Sequence, residues 1–214
     1  AAPCQTLAVM PHSQTTTLSA PEVFARLEDP QALAARMEFC TKVSEALRGG
    51  GRVLWTFGLA CDLPDREALA IVTQIAGDLA QGAVELYLKE NWYAGAALVR
   101  QLVEAEYLLF LFAENPHEAT QWRNSTTEQR KDFFTPARMR KRSNGRFRSS
   151  EYAAHCERGG HPTPLGHMFV AEHATPFSSN VWLWSDLAQH LERLWSSFDA
   201  AARALGLADV PAVA

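Results

Sequence analysis

Helical periodicity runs through almost the entire sequence and constrains the fold more than any single motif. Apolar residues recur three and four positions apart over long stretches, whereas no segment keeps the alternation of polar and apolar residues that marks a half-buried strand. A chain with this pattern buries its core between helices. The pattern therefore predicts an all-α fold, a single-domain helical bundle of four to five long helices with short connecting helices.

Proline, glycine and polar residues set the expected helix ends. Residues 31–48 have apolar positions at helical spacing and are expected to end at the glycines of 49–51. Residues 65–90, 92–114 and 180–205 supply the other long helices. The helix 92–114 is apolar around most of its circumference, so we expect it at the centre of the bundle.

Capping residues and composition define the remaining boundaries. Asn91 is expected to cap the central helix, and residues 125–128 are expected to form a capping box before a short helix. Residues 1–20 are expected to be an irregular N-terminal segment, 21–207 the helical bundle domain, and 208–214 a C-terminal tail.

Composition favours a globular domain without a membrane segment. No apolar run reaches the roughly 18 residues that a membrane helix needs, and the N-terminal segment lacks the basic and apolar regions of a signal peptide. The four cysteines are far apart and form no CxxC pair, which predicts reduced thiols and a cytoplasmic location. The tryptophans of the last helix are expected to serve as core or oligomer contacts, and we expect a homo-oligomer.

Positive charge is concentrated in one segment of an otherwise acidic chain. Residues 130–148 contain eight lysines and arginines against one acid, Asp132, and carry +7, whereas the rest of the chain carries −11. This asymmetry indicates an anionic partner, RNA or another polyanion, unless the segment is only a solvated loop. The candidate nucleic-acid contacts are Arg138, Arg140, Lys141, Arg142, Arg146 and Arg148.

Four histidines follow one another at six-residue intervals, at positions 155, 161, 167 and 173. On an ideal helix this spacing turns each side chain about 120° away from alignment with the last, so the four cannot line one helix face. Loop folding could still bring His155, Cys156, His161 and His167 together around zinc. The chain has no HExxH or CxxC motif, so no metal ligand is assigned and a metal-dependent hydrolase stays an open alternative.

An Arg-x6-His pair precedes this stretch. Arg148 lies directly after most of the basic segment, and His155 follows it seven residues later. A histidine with a pKa near 6.5 can take the proton from a ribose 2′-hydroxyl, and an arginine can stabilise the charge that builds on the phosphate. The pair is compatible with RNA cleavage that needs no metal.

A charged pair interrupts the most apolar helix. Arg100 and Glu104 are four residues apart and therefore share one face. They are expected either to form an internal ion pair or to line a polar pocket that faces residues 152–161. Glu106 should point to the surface, and His190 is expected at the surface or at a helix end.

Two segments carry a resemblance to a known superfamily. The segments LVRQLVEAEYLLFL (98–111) and EYAAHCERGGHPTP (151–164) are together similar to a group of bacterial helical proteins. The pattern of that group is an Arg-x3-Glu helix, then a tyrosine, then a His-Pro after a short helix. These proteins resemble HEPN-like domains, a superfamily with many RNA-cleaving toxins and defence proteins. The matching residues here are Arg100, Glu104, Tyr152, His161 and Pro162.

The resemblance implies a helical fold and an RNA-directed role, in a bacterial defence or toxin-type system. HEPN nucleases usually have four to six residues between their arginine and histidine, with Asn, Asp or His directly after the arginine. In this chain Arg148 and His155 have the widest allowed gap, and Ser149 follows the arginine.

Three functions remain open from the sequence. The first is a HEPN-like protein that binds nucleic acid, a nucleotide or a protein partner. The second is a metal-independent endoribonuclease, with His155 or His161 as the base, Arg100 or Arg148 on the phosphate, and Glu104 as an orienting group. The third is the metal-dependent hydrolase. The candidate catalytic residues are Arg100, Glu104, Tyr152, His155 and His161, and no cofactor is expected.

Overall fold

The computed structural model describes residues 29–171, 173–175 and 181–207, except for the side chain of Ala60. The expected irregular segment 1–20, the expected tail 208–214 and the start of the bundle domain at 21 lie outside these residues. The helices within the described part run as follows: α1 Pro30–Cys61, α2 Pro64–Leu88, α3 Trp92–Glu114, α4 His117–Arg123, α5 Thr127–Phe133, α6 Pro136–Arg142, α7 Ser149–His155 and α8 Trp184–Ala204. A π-helical turn, Cys156–Gly160, and a 3₁₀ helix, Leu165–Phe169, lie between α7 and α8.

The predicted all-α architecture is confirmed. Four long helices, α1, α2, α3 and α8, pack around one main core, and the described residues form no strand. The helix α3 contacts α2 and α8, the short helices α4, α6 and α7, and both irregular turns, so its predicted central position is also confirmed. None of the described helices is long and apolar enough to cross a membrane.

The expected break at the three glycines 49–51 is wrong, because α1 continues through them to Cys61. The glycines allow close packing instead of ending the helix. A Cβ atom at Gly51 would lie 2.9 Å from the backbone nitrogen of Gln74, and one at Gly77 would lie 2.7 Å from that of Arg48. Two facing helices can approach this closely only where side chains are absent, and this contact outweighs the low helix propensity of glycine.

Two smaller expectations about helix starts also need correction. Asn91 is the N-cap of α3, but its side chain makes no capping hydrogen bond. The capping box of α5 is formed by Thr126 and Gln129, one residue later than predicted. Thr126 Oγ1 accepts from the Gln129 nitrogen, and the Gln129 side chain accepts from the Thr126 nitrogen. The start of α5 thus satisfies backbone donors of its first turn with side chains, whereas the side chain of Asn91 does not do so for α3.

A second, smaller apolar cluster covers the opposite face of α3 and positions the candidate site. It packs α6, the loop after α6 and α7 against α3, and Tyr152 lies at its edge. Its buried members are Val103, Tyr107, Leu111, Met139 and Phe147. The basic segment is therefore fixed to the central helix by apolar side chains between its charges.

Candidate functional site

Arg100, Glu104 and Tyr152 form one hydrogen-bonded triad between α3 and α7. The Arg100 guanidinium lies 2.9 Å from the Glu104 carboxylate, one helical turn away. Arg100 Nη2 donates to the Tyr152 hydroxyl at 2.7 Å, and that hydroxyl donates to Glu104 Oε1 at 2.8 Å. Three candidate residues named from the sequence thus meet at one place. Arg100 and Glu104 are half-buried, with a quarter to a third of each side chain exposed.

The triad keeps its tyrosine protonated. Burial, and then the hydrogen bond to the Glu104 carboxylate, raise the pKa of Tyr152 well above its ordinary value. Burial lowers the pKa of Arg100, but hydrogen bonding to Cys156 and the charge of Glu104 outweigh it, and the net shift is upward. Tyr152 therefore acts as a hydrogen-bond donor at neutral pH and cannot serve as a base.

The segment Arg138–Arg148, which we call the basic face, surrounds this triad. The guanidinium carbon of Arg140 lies 4.4 Å from the centre of the Tyr152 ring, and that of Arg146 lies 5.0 Å from the centre of the Phe110 ring. Arg142 is instead bound to Glu118, with Nη2 and Oε2 2.7 Å apart. Stacking on aromatic rings holds the first two charges in place, and neither forms an ion pair with an acid of the described residues.

Three further cations of the basic face are exposed. Arg138, Lys141 and Arg148 make no ion pair with any acid in the described part of the chain, and each is solvent-exposed. The aromatic ring of Phe133, at the end of α5, is 44% exposed in front of α6. The exposed aromatic residue Phe133 therefore ends the helix that precedes the basic face.

His161 follows Tyr152 by nine residues, and its side chain forms no hydrogen bond with the triad among the described residues. Its carbonyl oxygen accepts from the Tyr93 hydroxyl at 3.0 Å, and its ring is exposed. The preceding Gly160 packs directly on Arg100, since a Cβ atom there would lie 2.5 Å from Arg100 Cδ. Glycine is needed at this position because the arginine side chain occupies the space.

His155 belongs to a different, buried cluster. Its Nε2 lies 3.0 Å from Nε2 of His190 on α8, and its Nδ1 lies 3.6 Å from Asp186. His190 Nδ1 donates to Glu106 Oε2 of α3 at 2.6 Å. Burial lowers the pKa of His155. Burial also acts to lower the pKa of His190, but the hydrogen bond to Glu106 and the charge of Asp186 outweigh it, and the pKa is raised.

No family model matches this chain, and neither a curated protein nor a solved structure matches it. The HEPN-like resemblance stays an expectation drawn from the residues of two segments. The described residues contain two polar clusters that bear on function. One is the half-buried triad beside the basic face, and the other is the buried histidine cluster.

The cluster around His155 contains two residues that sequence reasoning misplaced. Glu106 and His190 were expected at the surface or at a helix end, and each side chain is only 1% exposed. The relevant signal was available in α8: His190 shares a face with Leu187, Leu191 and Leu194, all fully buried. A histidine on such a face must find a polar partner inside the protein.

The predicted histidine ladder does not converge on one point within the described residues. The exposed His167, on the 3₁₀ helix, stacks against the exposed His173 in the turn that follows, with ring centres 4.1 Å apart. His155 gathers with Asp186 and His190 instead, through side chains that come from another helix. His155, Cys156, His161 and His167, which loop folding could have brought together around zinc, therefore do not form one cluster among the described residues.

Proposed function

We propose that the protein binds RNA through the basic face, the segment Arg138–Arg148. The observation that carries the proposal is the set of exposed cations with no acidic partner in the described part of the chain, Arg138, Lys141 and Arg148. Lysine and arginine side chains that neutralise phosphates supply most of the affinity of proteins for nucleic acid. An RNA partner also fits the cytoplasmic location that the cysteines predict.

Aromatic rings beside these charges favour a single-stranded RNA over a simple polyanion. Unpaired bases stack on exposed aromatic side chains and on the planes of arginine guanidinium groups. Phe133 is an exposed residue, and Arg146 presents an exposed guanidinium group that the Phe110 ring already orients. A sulfated polysaccharide would use the charges but not the stacking surfaces.

The arrangement of the candidate catalytic residues supports binding over cleavage. A general base must lie within hydrogen-bond reach of the proton that it abstracts. His155 is buried and bonded to His190, and Tyr152 is held in its protonated form. The ring of His161 is exposed and forms no hydrogen bond with the triad in the described part of the chain. The triad is best suited to hold α7 and the basic face against α3.

The proposal predicts a strong dependence of RNA affinity on three exposed cations. A triple variant Arg138→Ala, Lys141→Ala, Arg148→Ala should bind a fluorescein-labelled single-stranded RNA at least about tenfold more weakly. The slope of log Kd against log salt should fall by about 2, since each lost phosphate contact removes roughly 0.7 on single strands. Fluorescence anisotropy over a salt series measures both quantities.

A matched control removes the same charge elsewhere. Arg52, Lys89 and Arg203 are exposed and lie outside the basic face, so their triple alanine variant should retain the affinity and salt slope of the wild type. Competition with heparin and with single-stranded DNA distinguishes RNA recognition from general attraction to polyanions. Equal losses in the two triple variants, or no binding by the wild type, would refute the proposal.

A further inference from the structure

A group of side chains that could bind a metal ion lies where α3, α7 and α8 meet. The Nε2 atoms of His155 and His190 face each other 3.0 Å apart, and the two side chains are 4% and 1% exposed. The carboxylate of Asp186 approaches both rings, 3.6 Å from His155 Nδ1 and 3.8 Å from His190 Nε2. Each residue can offer one ligand atom such that all three lie within 4.8 Å of one another.

The hydrogen bonds of this cluster leave two nitrogen lone pairs directed at each other. Glu106 Oε2 can only accept, so the proton of His190 sits on Nδ1 and a neutral His190 has its lone pair on Nε2. His155 has its Nδ1 toward Asp186, which favours a proton there and a lone pair on its own Nε2. Two facing lone pairs at 3.0 Å repel each other, so this contact needs either a proton on Nε2 of a charged His190 or a metal ion bound to both nitrogens.

We propose that His155, Asp186 and His190 bind one divalent transition-metal ion of the zinc type. Two imidazole nitrogens on a tetrahedral ion, each about 2.0–2.1 Å from it, lie about 3.3 Å apart. The observed 3.0 Å separation needs only a small adjustment to reach that value. Imidazole nitrogens with one carboxylate are a ligand set that suits zinc, iron, nickel and copper ions.

Glu106 has the position of a residue that orients a metal ligand without touching the ion. Histidines that bind metals usually donate their other N–H to a carboxylate or a carbonyl, which fixes the ring and raises its basicity. Glu106 receives that bond from His190 at 2.6 Å and is fully buried. Its other oxygen, Oε1, has no hydrogen bond but lies 3.9 Å from Nη1 of Arg193. The positive charge of Arg193 therefore partly offsets the negative charge of the buried carboxylate.

An opening from solvent reaches this cluster through Asp186. That residue is a quarter exposed and lines an open cavity of about 740 Å³, whose wall also carries Arg36 and Arg158. Three protein ligands leave a coordination position for water or for another group. The same wall also carries Glu192, so it is the ion together with the two arginines that would favour a small anion as the additional ligand.

The test is a metal titration of the full chain after EDTA dialysis. Zinc binding by calorimetry should give one equivalent per chain, and Co²⁺ should show the visible absorption of a site with nitrogen ligands. The variant Asp186→Asn should weaken zinc binding at least about tenfold. Zinc should raise the unfolding midpoint of the wild type and leave that of Asp186→Asn nearly unchanged, because a ligand stabilises only the state that binds it.

Two double variants separate this cluster from the exposed histidines. His155→Gln with His190→Gln should abolish zinc binding, whereas His167→Gln with His173→Gln should retain it. The double variant changes two buried residues and can fail to fold. In that case Asp186→Asn, which changes a partly exposed residue, still tests the site. Absence of stoichiometric binding in the wild type, or unaltered binding by Asp186→Asn, would overturn the proposal. The RNA-binding proposal is tested separately and is not affected by either result.

Discussion

At the scale of single residues, the hydroxyl of Tyr152 satisfies two charged groups at once. It accepts from Arg100 and donates to Glu104, while its ring lies under the guanidinium of Arg140. A charged pair on an apolar helix is costly unless its remaining donors and acceptors are used. The tyrosine supplies one partner for each charged group, and by doing so it attaches α7 to α3, whereas Arg100 Nε has no hydrogen-bond partner among the described residues.

Substitution of Tyr152 by phenylalanine isolates the contribution of that hydroxyl. Tyr152→Phe keeps the ring that stacks with Arg140 and leaves the Arg100–Glu104 pair with fewer partners. We expect the free energy of unfolding to fall by about 1–2 kcal/mol, because hydrogen bonds to charged groups contribute more than neutral ones. Urea unfolding followed by circular dichroism measures the change. Tyr93→Phe loses one neutral hydrogen bond, to the carbonyl of His161, and should cost less; an equal or larger loss there would contradict the expectation.

At the scale of helices, the contact between α1 and α2 depends on two glycines. A methyl group at Gly51 or Gly77 would meet the backbone nitrogen of the opposite helix at less than 3 Å. Gly51→Ala and Gly77→Ala should therefore lower the free energy of unfolding by about 1–3 kcal/mol, the usual cost of overpacking. Gly82→Ala is the matched control, since its methyl would meet only the end of the flexible Leu98 side chain.

The glycine variants are informative because helix propensity predicts the opposite sign. Alanine favours a helix interior by about 1 kcal/mol over glycine, so all three substitutions would stabilise isolated helices. Gly82→Ala should remain neutral or become stabilising in urea unfolding, whereas the other two should destabilise. Stabilisation by Gly51→Ala would show that the helices separate without cost.

Helix positions could be predicted from periodicity, but helix ends could be predicted only where local chemistry decides them. Pro136 begins α6 as its fixed φ angle favours, and the start of α3 after Asn91 was also expected. The glycines 49–51 gave the wrong end for α1, because the last of them, Gly51, packs directly against the backbone of the facing helix α2. Local signals cannot reveal a constraint that another helix imposes.

At the scale of the whole molecule, α3 separates two polar clusters with different exposure. Arg100 and Glu104 lie on the side covered by the basic face, and Glu106 lies on the side covered by α8. The first pair could be predicted from its spacing on an apolar helix. The position of Glu106 could not, because almost every face of α3 is apolar and the sequence does not say which helix covers which face.

Glu151 joins α7 to α8 and should contribute to the acid stability of the entire bundle. Its carboxylate lies 2.6 Å from Arg193. Burial raises the pKa of Glu151, but the hydrogen bond and charge of Arg193 outweigh it, and the net shift is downward. A carboxyl whose pKa is lower in the folded state than the unfolded value of about 4.3 stabilises the protein above that value, and the contribution is lost as pH falls further.

Glu151→Gln should therefore lower the thermal midpoint at pH 6 to 7, and the difference from the wild type should shrink as pH falls below about 4. Scanning calorimetry at several pH values measures both midpoints. Glu157→Gln is the control, because Glu157 is exposed and forms no ion pair in the described part of the chain, and its difference from the wild type should stay small throughout. A constant difference between Glu151→Gln and the wild type across this range would mean that the carboxylate charge contributes nothing and that Arg193 holds α7 by packing alone.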